Sequence, residues 1–255
     1  KKPELARKRF ESVLSVDPKN TQALLAIAEL RAADGSPVEE VASLIGKAVT
    51  ANPTETTPRL ALIQYLLKNK DYKKALSAAI EANTVIPDKP EILDALGRAQ
   101  QLSGELNQAS ITYGKLVALQ PASPLPLLRL AETQFANKNP EDGTKTLKKA
   151  LELKPDLLEA QRALVQLAMD NKTPRIALDI AKTVQTQRPK EAVGYLLEGN
   201  IHASAKAWSE AINAFRHGLK KTESSELAIK LHGAHSASGN TSDADNHSNN
   251  WLKDH

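Results

Sequence analysis

Six prolines fall at an almost constant interval: Pro18, Pro53, Pro87, Pro121, Pro155 and Pro189, in steps of 35, 34, 34, 34 and 34 residues. Proline lacks a backbone N–H and its ring clashes with the preceding turn, so it is excluded from helix interiors. A proline that returns in register therefore marks a chain break that returns in register. Each interval holds two stretches with the apolar spacing of a helix, joined by turn residues. One helical hairpin of this length cannot bury its own apolar face, but stacked hairpins bury a continuous core between neighbours. The spacing predicts an all-α array in which each repeat rests on the next.

Aromatic residues make up 4% of the chain, so such a core must be built mostly from Ala and Leu, which suits close helix crossings and disfavours a β-rich fold. There are no cysteines, which excludes disulfides and thiolate metal sites. The net charge is +4, from 34 basic and 30 acidic residues interspersed along the chain, a weak footprint for nucleic acid. No apolar run approaches the length of a membrane span. The chain opens at Lys1 on what reads as a lone second helix of a repeat. It closes at His255 near the next expected proline. Both ends fit a fragment of a longer array.

With each proline set late in its repeat, a half-repeat 1–20 is followed by repeats 21–55, 56–89, 90–123, 124–157, 158–191 and 192–225, and a degenerate last repeat 226–255. The turns agree with this register. Ser36-Pro37, Asn139-Pro140 and Thr173-Pro174 each place a capping side chain before a first-turn proline, and Thr57-Pro58 and Ser123-Pro124 do so on first helices. Ser36 with Glu39 reads as a capping box. A mostly small residue recurs early in the second helix at Ala6, Val41, Ala75, Ala109, Gly143, Ala177 and Ala211. Four residues on stand Phe10, Ile45, Ala79, Tyr113, Leu147, Ala181 and Phe215. The pattern decays after Glu223, which replaces the next proline, and 236–250 is mostly polar. Ala244, Ser248, Trp251 and Leu252 still follow helical spacing, so a weak amphipathic helix and a frayed tail both stand open.

These positions, covering nearly the whole chain, resemble the tetratricopeptide repeat. The resemblance implies a right-handed superhelix of tandem hairpins that serves as a non-catalytic protein-interaction scaffold and needs no cofactor. In that family the first helices line a concave groove. The corresponding residues here are Leu60, Gln64 and Leu67, then Asp94 and Arg98, then Leu128, Glu132 and Phe135, then Arg162, Gln166 and Met169. Leu128, Phe135 and Met169 would form an apolar strip flanked by charges of both signs, suited to a protein or peptide ligand. The alternative is that these side chains pack against the adjacent helices. The family's clamp for C-terminal carboxylates needs Lys and Asn on neighbouring first helices. Only Asn200 and Lys230 fit, without the remaining basic partners, so that clamp is disfavoured.

Second helices such as LKKALELKPD at 147–156, the regular array and the run WLKDH at 251–255 resemble the lipoproteins of PEP-CTERM protein-sorting systems. This narrower resemblance implies an envelope protein tied to exopolysaccharide production, touching the membrane only through a lipid anchor outside this sequence. A polysaccharide-export adaptor is one alternative, though a glycan groove would carry several exposed aromatics and Trp208 and Tyr72 fall at the outer starts of second helices. A generic cytoplasmic adaptor is the other. The sequence leaves the oligomeric state open.

His232 and His235 lie three apart, with Asp243, Asp245 and His247 nearby, but a metal site needs an ordered third ligand and a solvated cluster is the expectation. His202 and His217 stand singly. No nucleophile elbow, phosphate loop, HExxH or dinucleotide fingerprint occurs, so no enzymatic activity is expected. Phe135 as the sole groove aromatic, in a groove of mixed charge, argues against nucleic acid.

Overall fold

The structure, a computed structural model, describes residues 3–254, with the side chains at 3, 247–250 and 252–254 left aside. His247, Ser248 and Leu252, singled out above, therefore lie outside the described residues. Among the described residues there are fifteen helices and no strand. They fall into two compact units, Lys1–Thr146 and Leu147–His255.

The first unit holds α1 (Pro3–Val16), α2 (Thr21–Ala33), α3 (Val38–Ala51), α4 (Thr56–Lys68), α5 (Tyr72–Val85), α6 (Pro90–Leu102), α7 (Leu106–Leu119) and α8 (Pro124–Ala136). The next helix, α9 (Pro140–Leu153), runs through the boundary. The second unit continues with α10 (Leu158–Asp170), α11 (Pro174–Gln187), α12 (Val193–Ser204), α13 (Trp208–Leu219), α14 (Ser225–Ala237) and α15 (Thr241–Asp254). From α1 to α8, and again from α10 to α15, each helix packs on its successor. First helices also meet first helices, α2 on α4 and α4 on α6, which is the stacking of a solenoid.

The helix crossings conserve volume by trading it. Ala28 shares a core cluster with Ile45, and Ile63 shares one with Ala79. At Gly97 the Tyr113 ring lies so close that an added Cβ would come within 2.7 Å of it. In the second unit Val165 shares a cluster with Ala181, and an added Cβ at Gly199 would come within 2.1 Å of the Phe215 ring. Each pair joins the eighth residue of a repeat to a residue sixteen or seventeen further on. A large side chain on one helix meets a small one on the other, which keeps the interior dense with few aromatics.

Tight turns close the hairpins. After α4, the N–H of Lys70 donates to the Leu67 carbonyl at 3.1 Å and that of Asp71 to the Leu66 carbonyl at 3.0 Å, so the chain leaves the helix through a left-handed residue. Glycine fills that position at Gly35, Gly104 and Gly239, whereas Lys70, Lys138, Lys172 and Lys206 adopt it with a side chain attached. The loops between repeats use a different device. Arg59 Nε donates to the Pro53 carbonyl at 2.8 Å, Gln161 Nε2 to that of Pro155 at 3.1 Å, and the Tyr195 hydroxyl to that of Pro189 at 3.2 Å. In each case a long polar side chain reaches back six residues to satisfy the turn that the in-register proline makes.

The expected caps are partly replaced. Helix α3 starts at Val38 with Pro37 at the cap and no side-chain cap, so Ser36 and Glu39 form no capping box. Thr57 lies inside α4, behind Glu55 at the cap. Thr173 gives its hydroxyl to the Ala168 carbonyl, and Ser123 precedes Pro124 without a side-chain cap. Asn139 does accept from the Asp142 N–H, at 3.4 Å. Side-chain caps missed in the sequence stand at Asn20, Asp71 and Ser224, where a short polar side chain precedes the helix without a proline. Helix α15 is formed, with Ala244 buried on it. Among the described residues no helix is long and apolar enough to cross a membrane.

Candidate functional site

In the first unit the first helices leave a cleft of about 350 Å³. Leu60, Gln64 and Leu67 from α4 and Asp94 and Arg98 from α6 line it, together with Leu125 and Pro126 from the start of α8. Leu116 of α7 and Gln120, just after it, complete the lining. Helical spacing explains the α4 set: residues four and seven apart share a face, so Leu60, Gln64 and Leu67 point the same way. Leu67 is buried and forms part of the floor, while Leu125, 52% exposed, stands at the rim. A second cleft of about 510 Å³ lies between α2, α3 and α4, lined by Leu25, Ala28, Ile45, Ala61 and Tyr65 with Glu29 and Lys68. Gln64 lines both, so the two clefts adjoin at its side chain.

Charge in the first cleft is arranged by a residue outside it. Asp94 and Arg98 sit at i and i+4 on α6, a spacing at which acid and base ordinarily pair along the helix. Instead Asp94 Oδ1 lies 3.8 Å from Nε of Arg129 on α8, and Arg129 Nη1 reaches Glu132 at 3.4 Å. Arg98 is exposed and makes no ion pair among the described residues. Glu91, about two turns earlier on α6, is the other free charge of the cleft. Arg129 was not among the residues expected to line the groove. It occupies an ordinary surface position in the helical pattern, and only the neighbouring helix gives it this role.

Of the apolar strip expected from Leu128, Phe135 and Met169, Leu128 is buried and the other two are half-buried, which agrees with the alternative of packing against adjacent helices. Leu128 is only 6% exposed and belongs to the interior of the first unit. Phe135 turns its ring onto Gly143, where an added Cβ would come within 2.9 Å of it, so it fills the space over a residue lacking a side chain. Here the aromatic comes from the first helix and the glycine from the second, the reverse of the Gly97–Tyr113 arrangement. In the second unit Met169 packs against the cluster of Val165, Ala168, Ala177, Ala181 and Ile201. Arg162 is exposed, and Gln166 is exposed but donates to Asp170 at 2.8 Å. Among the described residues no group of three or more metal-ligating side chains converges. His235, expected in a solvated cluster, is buried, with Arg216 at 3.5 Å and Asp243 at 3.9 Å.

Tyr113 lies beneath this charged face. It is fully buried, its hydroxyl has no hydrogen-bond partner, and burial, reinforced by Asp94, holds the phenol protonated far above its ordinary range. A buried donor without an acceptor costs about 1–3 kcal/mol relative to one that is paired. Removing the oxygen by Tyr113→Phe keeps the ring on Gly97 and should raise stability by roughly 1 kcal/mol, read as a higher denaturant midpoint.

Paired helices, first helices stacked on first helices and a left-handed residue closing most hairpins define the tetratricopeptide-repeat fold. Solved structures of that kind are similar to this chain. A tetratricopeptide repeat protein from Parabacteroides merdae aligns over 91% of this chain and 92% of its own at 13% identity, with a TM-score of 0.61. MamA from Desulfovibrio magneticus aligns over 61% of this chain and 87% of its own at 19% identity and a TM-score of 0.51. The human IFIT1 dimer with m7Gppp-AAAA aligns over 98% of this chain and 68% of its own at 16% identity and a TM-score of 0.53. At such identities the likeness concerns the fold alone. No family model matches the chain, and no curated protein matches it.

Proposed function

We propose that this chain is a non-catalytic interaction scaffold that holds an extended segment of another protein in the first-helix cleft of its first unit. The carrying observation is the cleft itself: Leu60 and Leu67 with Leu125 at the rim, beside an exposed Arg98 and an exposed Gln64 amide that make no ion pair or side-chain hydrogen bond among the described residues. An extended peptide offers apolar side chains to the floor and a main chain to an amide that can both donate and accept. The wider setting we propose is the bacterial envelope, in PEP-CTERM sorting or exopolysaccharide assembly, supported by the resemblance of the second helices at 147–156. Under this reading a lipid anchor would lie outside the sequence. Export of the polysaccharide itself is less well supported, because Trp208 and Tyr72 are half-buried against the cores of their own units.

The similar fold of IFIT1 is seen together with m7Gppp-AAAA, an RNA, so the test must separate the two classes of ligand. A photo-crosslinking amino acid placed at Gln64 should trap a protein from envelope extracts. The same group at Ile111, 67% exposed on α7, should not. Trapping must disappear in a Leu60→Asp/Leu125→Asp background. An adduct removed by ribonuclease, or one formed equally from position 111, would overturn the reading.

A further inference from the structure

Resting on the cleft reading above, we propose that Arg129, which does not line the cleft, sets its charge preference, so that the cleft selects a segment carrying an acidic side chain beside its apolar anchors. Asp94 is one helical turn before Arg98, acid N-terminal to base, the favourable order for an intrahelical pair. The neighbouring helix intercepts it: Arg129 Nε stands 3.8 Å from Asp94 Oδ1, and Arg129 is itself shared with Glu132. The result is a division of labour between two guanidinium groups. Arg129, about one-third exposed, is hydrogen-bonded to Glu132 through Nη1 and lies within ion-pair distance of Asp94 through Nε. Arg98 is left exposed on the cleft wall without an ion-pair partner among the described residues.

Charge complementarity then names the occupant. Leu60 and Leu67, with Leu125 at the rim, take apolar side chains, and the one uncompensated base of the cleft takes a carboxylate. Glu91, seven residues before Arg98 and so about 10 Å along α6, makes the opposite end of the wall acidic. A carboxylate is favoured at one end of the cleft and disfavoured at the other, which fixes the direction of the bound segment as well as its composition. The carboxylate needed is a side chain within an extended segment, held beside the apolar floor, and a free chain end is not required.

The test uses the whole chain and a synthetic library of N-acetylated, C-amidated peptides with two fixed leucines separated and flanked by randomised positions. Selection on immobilised protein should enrich Asp and Glu over Asn and Gln at one randomised position by up to about fivefold, the upper end for an exposed ion pair. Arg98→Gln should abolish that enrichment while leucine-dependent binding remains. Arg129→Gln should abolish it too, because Asp94 is released to pair with Arg98. Adding Asp94→Asn to Arg129→Gln should restore it, because no competing carboxylate remains. The absence of any acid-enriched position, or an Arg129→Gln variant that still selects acids, would overturn the charge inference and leave the cleft standing. No enrichment of any peptide, or enrichment unchanged by Leu60→Asp/Leu125→Asp, would overturn both. Matching far-ultraviolet circular dichroism of the variants shows that they remain folded.

Discussion

Gly199→Ala is expected to destabilise the second unit by about 2 kcal/mol, although the same exchange normally strengthens a helix. Position 199 is inside α12, where alanine would gain about 1 kcal/mol over glycine by propensity alone. The gain is outweighed because the new Cβ would fall on the Phe215 ring, well inside van der Waals contact. The ring cannot retreat: Phe215 is buried in a cluster with Tyr195, Leu196, Leu231 and Ala234. Overpacking of this kind costs about 1–3 kcal/mol, and here it meets an aromatic ring with no free direction. Gly233→Ala is the internal control, since nothing lies within 4 Å of a Cβ built there in α14. That variant should gain up to about 1 kcal/mol, so one substitution carries opposite signs at two helical glycines of one unit. Equilibrium denaturation of the single variants, and of Gly199→Ala with Phe215→Leu, measures the coupling. The double variant should be more stable than the sum of its parts by about 1 kcal/mol or more. Strict additivity would mean that the glycine is there for another reason.

The same pair shows what was legible in the sequence. The period, the helix starts at Thr21, Thr56, Pro90, Pro124 and Leu158, and the second-helix positions of Ala109 and Phe215 could be read directly, because proline and small residues mark breaks and crossings by local rules. The trade of volume between Gly97 and Tyr113, or Ile63 and Ala79, was visible in principle. It needs two columns read together, and each column alone looks irregular. For this reason spacing alone left Phe135 open between the groove and packing against its neighbours. Its helical position faces outward in an average repeat, but Gly143 across the crossing gives it a seat. Of the groove residues, Leu60, Gln64, Leu67, Asp94 and Arg98 do line one cleft. Their number along the helix decides which face they occupy, whereas the exposure of Leu128 and Met169 depends on neighbours. Arg129 could not be found from spacing, since its importance lies in taking Asp94 away from Arg98 across a helix interface.

The second large effect concerns a carbonyl that the repeating proline leaves behind. Arg59 is 4% exposed, its Nε donates to the Pro53 carbonyl at 2.8 Å and its Nη1 to Glu81 at 3.1 Å. Arg59→Ala should cost about 3 kcal/mol in the first unit, through the lost packing of the aliphatic stem and a charged hydrogen bond. The chain supplies its own controls at the equivalent position of other repeats. Gln161 and Tyr195 make the same reach to Pro155 and Pro189, while Leu93 and Leu127 are apolar and buried there. Arg59→Gln should therefore retain about half of the lost stability, because an amide can reach the carbonyl without a charge to desolvate. Arg59→Leu keeps the packing and abandons the carbonyl. Denaturant midpoints are expected in the order wild type, Gln, Leu, Ala. If Leu matched the wild type, the carbonyl bond would contribute nothing at Pro53, and the polar residues at 59, 161 and 195 would have to be explained by their packing volume alone.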